Sequence, residues 1–382
     1  MKVVIAPDSF KDALRAERVC EHIARGIDAV APDVDVDRCP IADGGEGFVA
    51  AIAHACGGSA KAHAVTTTDP LGRDISADIT IVTRSRGSSV AAIELAAASG
   101  LERLGPSERD VVRASTFGSG RLIREALEHR PAHLLLGIGG SATNDAGCGL
   151  AQALGAVFYD AAGALMAEPI AGGDLWRIDR IDLGGFEKTP FSGSITVACD
   201  VTNPLTGPNG AAHVYAPQKG ATPEQVKELD AGLRHMAELW RDQLGIDVEH
   251  MPGAGAAGGV GGGLVAMLGA ELVPGAELVL DTIGFDERIK DADLVITGEG
   301  RLDGQSMQGK AAMTVARRCK EAGVPCVALV GSVGEGAGES LAQGLVEYRV
   351  IGEGLSAEES IRRTGELLED AAATLLRSWL PR

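Results

Sequence analysis

Basic side chains are in short supply. Thirty-five Lys and Arg stand against 53 Asp and Glu in 382 residues, a formal net charge of −18. A surface that acidic repels phosphate backbones and anionic lipid, which argues against nucleic-acid and membrane-surface roles. Any anionic ligand then needs a locally basic pocket or a metal ion. Paired cysteine is missing as well. The seven Cys (20, 39, 56, 148, 199, 319 and 326) are scattered, odd in number and contain no C-x-x-C. That is the pattern of reduced, buried thiols, not of a disulfide framework or a zinc site. The eight His form no H-E-x-x-H and no pair at ligand spacing, and no Ser/His/Asp arrangement stands out, so metal hydrolysis and triad chemistry are disfavoured. His213 and His250 fall near Gly-rich motifs and read as ordinary surface or core positions. Long apolar runs are absent too. Four apolar residues separate Met1-Lys2 from Pro7-Asp8, too few for a signal-peptide core. The 20-residue uncharged stretch from Met251 to Ala270 holds eight Gly and a Pro, and reads as loop followed by a short helix. The chain is expected to be cytoplasmic. Aromatics are only 3% while Gly reaches 52, so many backbone positions must be left-handed or closely packed, which suits Gly-rich ligand loops.

With 45% hydrophobic and 23% charged residues the chain is globular, and its length predicts two or three domains. Short β-branched runs alternate with amphipathic helices, the signature of an α/β fold with a largely parallel sheet. Lys2–Ala6 is an opening strand, Val19, Ile23, Ile27 and Val30 repeat at helical spacing, and Val34–Val36 begins a second strand before a helix from about Gly47 to Ala55. The last hundred residues repeat this idiom. Leu294–Thr297, Pro325–Val330 and Glu347–Ile351 are strands, Ala311–Ala322 is a helix, and a closing helix presents Ile361, Leu368, Ala372, Leu375 and Trp379. The middle is less regular. Ala77–Val82 and Val90–Glu94 read as a hairpin or neighbouring strands with turn chemistry at Arg84–Ser88, and His133–Leu136, Ala156–Tyr159 and Ile195–Ala198 as further strands. Pro223 opens the clearest amphipathic helix, with Val226, Leu229, Leu233, Met236, Trp240 and Leu244. Two regular ends around a different centre predict a Rossmann-like domain formed by residues 1–63 and 281–382, with a second α/β domain, 64–280, inserted.

Three segments imitate nucleotide motifs. Gly137-Ile138-Gly139-Gly140-Ser141-Ala142 matches G-x-G-x-x-A after a strand, and Asp160 lies where a ribose-holding acid would stand, which keeps a nicotinamide-dependent hydroxy-acid dehydrogenase open. Its continuation, Thr143-Asn144-Asp145, is polar for such a fold. Gly304-x-x-x-x-Gly309-Lys310 resembles a P-loop, but Ala311 stands where the magnesium-binding Ser or Thr belongs; Lys310 near a helix start remains a phosphate candidate. Gly253–Gly258 is a literal G-x-G-x-x-G with no strand before it, and Gly255 and Gly258 are candidates for an anion-accommodating loop. Polar residues recur just past strands, where open α/β sheets bind ligands. Asp8, Ser9 and Lys11 follow the first strand, Asp43 to Gly47 the second, Asp200 and Asn203 a third, and Glu299, Arg301 and Asp303 a fourth. Carboxylates at several strand ends, with Lys11, Lys219, Arg301 and Lys310 among the motifs, are what phosphoryl transfer requires: acids to hold Mg²⁺ and cations to neutralise the moving group.

Taken together these motifs resemble the bacterial glycerate kinase family. The anchors are Ala6-Pro7-Asp8-Ser9-Phe10-Lys11, Ala42-Asp43-Gly44-Gly45-Glu46-Gly47, Asp69-Pro70-Leu71-Gly72-Arg73, Glu94 to Leu101, Gly139 to Asp145, Asp200 to Leu205, Pro217 to Ala221, Gly253 to Gly259 and Thr297 to Asp303, in that order over nearly the whole chain. Asp12-Ala13 replaces a usual Gly-Ser or Gly-Thr, Phe48 a usual Thr and Ala146 a usual Gly. The resemblance implies ATP, Mg²⁺ and phosphorylation of D-glycerate at the 2-hydroxyl, with the 3-hydroxyl as the alternative. It also implies an active site in the cleft between the two domains, and a monomer or homodimer. On this reading Asp200, Lys11, Lys219 and Arg301 are the catalytic candidates. Asp8, Ser9, Lys11, Asp43 and Arg73 are expected to bind substrate. Gly139, Gly140, Ser141, Thr143, Asn144, Gly255, Gly258 and Lys310 are expected at the nucleotide, and Asp200, Glu299 and Asp303 at the metal.

Overall fold

The structure is a computed structural model that describes residues 1–380 except 46, 84–87, 187–190, 192 and 305. The expected turn at 84–88 and Glu46 of the second acidic motif therefore lie largely outside the described residues. Thirteen strands are present among them: β1 (Lys2–Pro7), β2 (Asp35–Arg38), β3 (Ala60–Thr68), β4 (Asp74–Thr83), β5 (Ser89–Glu94), β6 (His133–Gly137), β7 (Val157–Asp160), β8 (Ile178–Asp182), β9 (Ser194–Ala198), β10 (Glu271–Val273), β11 (Leu294–Leu302), β12 (Cys326–Val333) and β13 (Leu345–Val350). They fall into two compact units, Met1–Asp43 with Ala50–Gly57 and Pro274–Arg382, and Gly44–Val49 with Gly58–Val273.

The first unit holds a five-stranded parallel sheet in the order β13-β12-β11-β1-β2. Its central strands are continuous apolar runs because helices cover both faces, as parallel sheets require. Val3, Ile5, Leu294, Ile296, Val327 and Leu329 pack there against Val19, Ile23 and Ile27 of the helix Ala16–Asp28 and Leu368, Ala372 and Leu375 of the helix Thr364–Trp379. Ile361 does not share that face. The backbone breaks at Arg363, and Ile361 sits on a separate six-residue helix, Ala357–Arg362, 45% exposed.

The second unit holds a six-stranded mixed sheet in the order β10-β9-β6-β5-β4-β3, parallel from β5 to β10 and antiparallel across β3, β4 and β5. β7 lies outside this sheet and pairs with β8. The amphipathic helix is Pro223–Leu239, opened by the Thr222 capping box and closed by a π-turn at Trp240–Leu244. Among the described residues no helix is long and apolar enough to cross a membrane. The Gly-rich 251–270 stretch is instead a loop leading into a helix, Ala256–Leu268, whose backbone is left-handed at Ala257, Gly258 and Gly259.

Candidate active site

In the first unit the chain leaves β1 towards β2 on one side, whereas β12 and β13 follow β11 on the other. The β1–β11 boundary is therefore the point where strand order reverses, and open α/β sheets bind ligands in the crevice beyond it. Register places the acids there. Pro7 pairs with Gly298, and the Asp8 N–H donates to the Gly298 carbonyl at 2.9 Å, so Asp8, just past β1, comes beside Glu299 of β11. Glu299 and Arg301 were expected in the loop after this strand; both belong to β11, which runs on to Leu302 paired with β12. Gly298 serves close strand packing, since a Cβ there would stand 2.4 Å from the Leu329 carbonyl oxygen.

A cavity of about 390 Å³ opens at this point, with Asp8, Asp43 and Glu299 on its wall together with Lys11, Arg301 and Lys310. Burial pushes the Asp8 carboxyl up to about 8, reinforced by the Asp43 and Glu299 charges and opposed by the Ser9 N–H, which donates to Asp8 Oδ1 at 2.6 Å. Burial likewise pushes Glu299 up to about 7, against the Ser306 hydroxyl and the Lys310 charge. Glu299 Oε1 is buried without a hydrogen-bond partner. Arg301 reaches Asp303, Nε to Oδ2, at 3.1 Å, and Lys310 caps the twelve-residue helix Ala311–Ala322. Among the described residues no three His, Cys, Asp or Glu side chains stand together closely enough to hold a metal ion by themselves. The donor set still fits Mg²⁺, which keeps several waters and takes one or two carboxylates plus substrate phosphates. The open Oε1 of Glu299 is such a donor.

Asp8 also ties stability to pH. Its folded pKa lies above the ordinary value of 3.8, so between about 4 and 8 the folded chain holds a proton that the unfolded chain has lost. The stability owed to this group is present below that window and lost as pH rises through it. Asp8→Asn is expected to raise the melting temperature at about pH 8 and to leave it unchanged at about pH 4. A difference independent of pH in thermal melts would contradict this.

In the second unit, register aligns Glu94, Gly137 and Ala198 at the carboxyl edge of the sheet, and Asp200 stands exposed two residues further on. Asn203 was a candidate oxygen donor beside it. Its amide is engaged instead: Nδ2 donates to the Asn209 carbonyl at 2.8 Å, and Oδ1 accepts from the Tyr215 hydroxyl at 2.7 Å. After β6, Lys219 is buried beneath the polar segment. Its Nζ donates to Ser141 Oγ at 2.8 Å and to the Thr143 carbonyl at 2.7 Å, and burial, opposed by the Asp145 charge, holds the ammonium down to about 7. Thr143 Oγ1 and both side-chain polar atoms of Asn144 are buried without partners, an uncommon accumulation beside one buried cation.

Asp145, quoted in the motif but given no role, holds this segment in place. Its carboxylate accepts from the Thr116 N–H and hydroxyl at 2.8 and 2.7 Å and from the N–H groups of Gly147 and Gly149 at 3.2 and 3.3 Å. An acid placed to satisfy four backbone and hydroxyl donors leaves no periodic trace in a sequence.

Several expectations need correction. The segment Gly139–Asn144 does not open a helix: the helix after it is Cys148–Ala153, six residues long, and Ser141 forms an isolated bridge with Gly100. No helix start therefore stands at this segment to hold a phosphate, and what remains is Lys219 with Ser141, Thr143 and Asn144. The dinucleotide fingerprint fails with it. Asp160 lies on β7, away from the sheet, and its carboxylate accepts from the Ala162 and Ala164 N–H groups at 3.0 and 2.9 Å. Gly255 and Gly258 are explained by packing. A Cβ would meet the Pro204 carbonyl oxygen at 2.2 Å and the Thr143 carbonyl oxygen at 2.0 Å, so both glycines face protein backbone. Arg73 is turned to its own hairpin, where it meets Asp69 and Glu108 while Asp69 also accepts from the Leu71 and Arg73 N–H groups. Two departures from the family pattern gain a cost: Asp12 and Ala146, where glycine is usual, have φ of 64° and 55°.

The family model "Glycerate kinase family" matches residues 3–380. The chain belongs to the glycerate kinase family. Among relatives, a glycerate kinase of Halalkalibacterium halodurans is 42% identical over 99% of this chain and 98% of its own length. A glycerate 2-kinase of Escherichia coli is 45% identical over 88% of this chain and 87% of its own. The crystal structure of a putative glycerate kinase 2 from Salmonella typhimurium LT2 superposes with a TM-score of 0.87 at 40% identity, covering 99% of this chain and 98% of that one. The glycerate kinase assignment makes the chain an enzyme that phosphorylates a small molecule, and it displaces the dehydrogenase alternative, whose fingerprint the geometry had already undone.

Proposed function

We propose that the protein transfers the γ-phosphoryl group of ATP to the 2-hydroxyl of D-glycerate, giving 2-phosphoglycerate and ADP. The observation that carries this reading is the cavity at the strand-order reversal, lined by Asp8, Asp43 and Glu299 together with Lys11, Arg301 and Lys310. Acids alone would repel both substrates; acids interleaved with cations suit a phosphorylated ligand that arrives with Mg²⁺. The name of the Escherichia coli relative supports the 2-hydroxyl as acceptor.

Lys11 and Ser9 hold the glycerate carboxylate, with Asp8 and Asp43 beside its hydroxyls. Asp200 orients the 2-hydroxyl and takes its proton as the oxygen attacks phosphorus. Lys219, with Ser141, Thr143 and Asn144, offsets charge on the phosphoryl group in flight, aided by Arg301 and Lys310. Glu299 and Asp303 would hold Mg²⁺, which would neutralise the triphosphate, and Asp200, the third metal candidate, keeps the role of base. The protein incubated with ATP, Mg²⁺ and D-glycerate is expected to release ADP and form 2-phosphoglycerate, identified by phosphorus NMR. Formation of 3-phosphoglycerate would move the acceptor to the 3-hydroxyl, and no turnover with glycerate would remove the reading.

A further inference from the structure

We propose that the cavity of the first unit takes the nucleoside beside the glycerate: the base and ribose of ATP lie against residues 357–364 and the triphosphate leaves over Arg301 and Lys310, while Lys11 keeps the glycerate carboxylate. This rests on the kinase reading and adds which surface discriminates the nucleotide. Size is the first argument. About 390 Å³ falls within the range of pockets that enclose drug-sized ligands, roughly 300–1,000 Å³, and far exceeds what a three-carbon hydroxy acid fills. Lining is the second. Besides the acids the wall carries apolar Phe10, Ala13, Ala357 and Ile361 and the hydroxyls of Ser332 and Ser360. Glycerate has no apolar surface to set against an isoleucine that stands 45% exposed, whereas a flat heteroaromatic base does, and a ribose presents hydroxyls to serines.

The exit is the third argument. Lys11, Arg301 and Lys310 also line an open cleft of about 860 Å³, together with Asp303, Gly304 and Gly336. The cations shared by cavity and cleft therefore mark the mouth, where a polyphosphate must pass. Lys310 adds the positive end of a twelve-residue helix to that mouth. This placement accounts for the Gly304–Lys310 segment, which has the glycines and lysine of a P-loop but Ala311 in place of its metal-binding hydroxyl. The missing oxygen is supplied by carboxylates: Glu299, with its buried and unpartnered Oε1 on the cavity wall, and Asp303 in the cleft.

The test separates the two substrates. Ile361→Asp puts a charge against the base, and Ala357→Trp fills the space from an exposed position. Each is expected to raise KM for ATP about tenfold or more while KM for D-glycerate stays within about twofold, because the lost contacts are made by the nucleoside alone. Calorimetric titration with ADP in the absence of glycerate is expected to weaken in parallel, and melting temperatures identify any variant that fails to fold. A rise in KM for glycerate with KM for ATP unchanged would overturn the assignment, as would two unchanged constants in folded variants. A wild-type protein that binds ADP, loses that binding in Ile361→Asp and yet never turns over glycerate would retain the pocket and reject the acceptor.

Discussion

Asp200→Asn is expected to keep the melting temperature of the parent protein within a few degrees and to lower turnover about a hundredfold or more, the usual scale for removing a positioned acid–base group. The stability half follows from exposure. Asp200 stands in the open two residues beyond β9, and exposed substitutions of this kind change stability by no more than about 0.5 kcal/mol. The turn is held at Asn203 as well, which is tied to Asn209 and Tyr215 and whose carbonyl accepts from the Gly255 N–H at 3.0 Å. The activity half follows from position. β5, β6 and β9 end in register at one edge, and Asp200 follows β9 while the segment that carries Ser141 and Thr143 follows its neighbour β6. Its negative charge is felt locally, since it joins burial in pushing the Cys199 thiol up. Asn keeps the shape and one acceptor oxygen but cannot take a proton from a hydroxyl. Steady-state kinetics with saturating ATP and glycerate decide the matter. Near-normal turnover would return Asp200 to the class of turn residues and move the search to Asp303 and Asp43.

The sequence exposed some of this arrangement and hid the rest for identifiable reasons. Strands buried on both faces, such as β1, β6 and β11, are continuous apolar runs and stand out from their surroundings. β3 does not. It is an edge strand paired, among the described residues, with β4 alone, half exposed, and its residues Ala60 to Thr68 are too polar to announce a strand. Acids past strand ends were legible because the ligand edge of an α/β sheet is a general property of the fold. Their partners were not: that Glu299 meets Asp8 follows from the β1–β11 register across some 290 residues, which no local pattern encodes. Glycines misled most. A glycine that spares a phosphate and a glycine that spares a neighbouring backbone look identical in sequence, and only the 2.0 Å approach of Gly258 to the Thr143 carbonyl oxygen tells them apart. Ile361 misled in the opposite sense. Its spacing continues the apolar stripe of the last helix, but the Thr364 hydroxyl donates back to the Ser360 and Ile361 carbonyls where the chain breaks, and the isoleucine is released to the cavity.

Lys219→Met is expected to lower turnover by about two to three orders of magnitude, the scale of a preorganised charge lost at a transition state. A buried lysine could equally be a packing residue, so pH supplies the discriminating readout. Burial holds the folded ammonium down to about 7 from an ordinary 10.5. Between those values the unfolded chain carries a proton that the folded chain has released, so wild-type stability rises with pH across that window and is lowest where the buried amine must be charged. A methionine side chain has nothing to titrate, and urea midpoints of the variant are expected to be flat over the range in which those of the wild type climb. Activity runs the other way. Only the ammonium form offsets phosphate charge, so wild-type kcat/KM for ATP should fall as pH rises through about 7, the value of the free enzyme. The corresponding limb in kcat should lie at higher pH, because a bound triphosphate favours the charged amine. A variant that keeps turnover within a few-fold would show that Lys219 only ties Ser141 to Thr143. A wild-type kcat/KM that rises through about pH 7 would instead make the neutral amine the working form, and so a base.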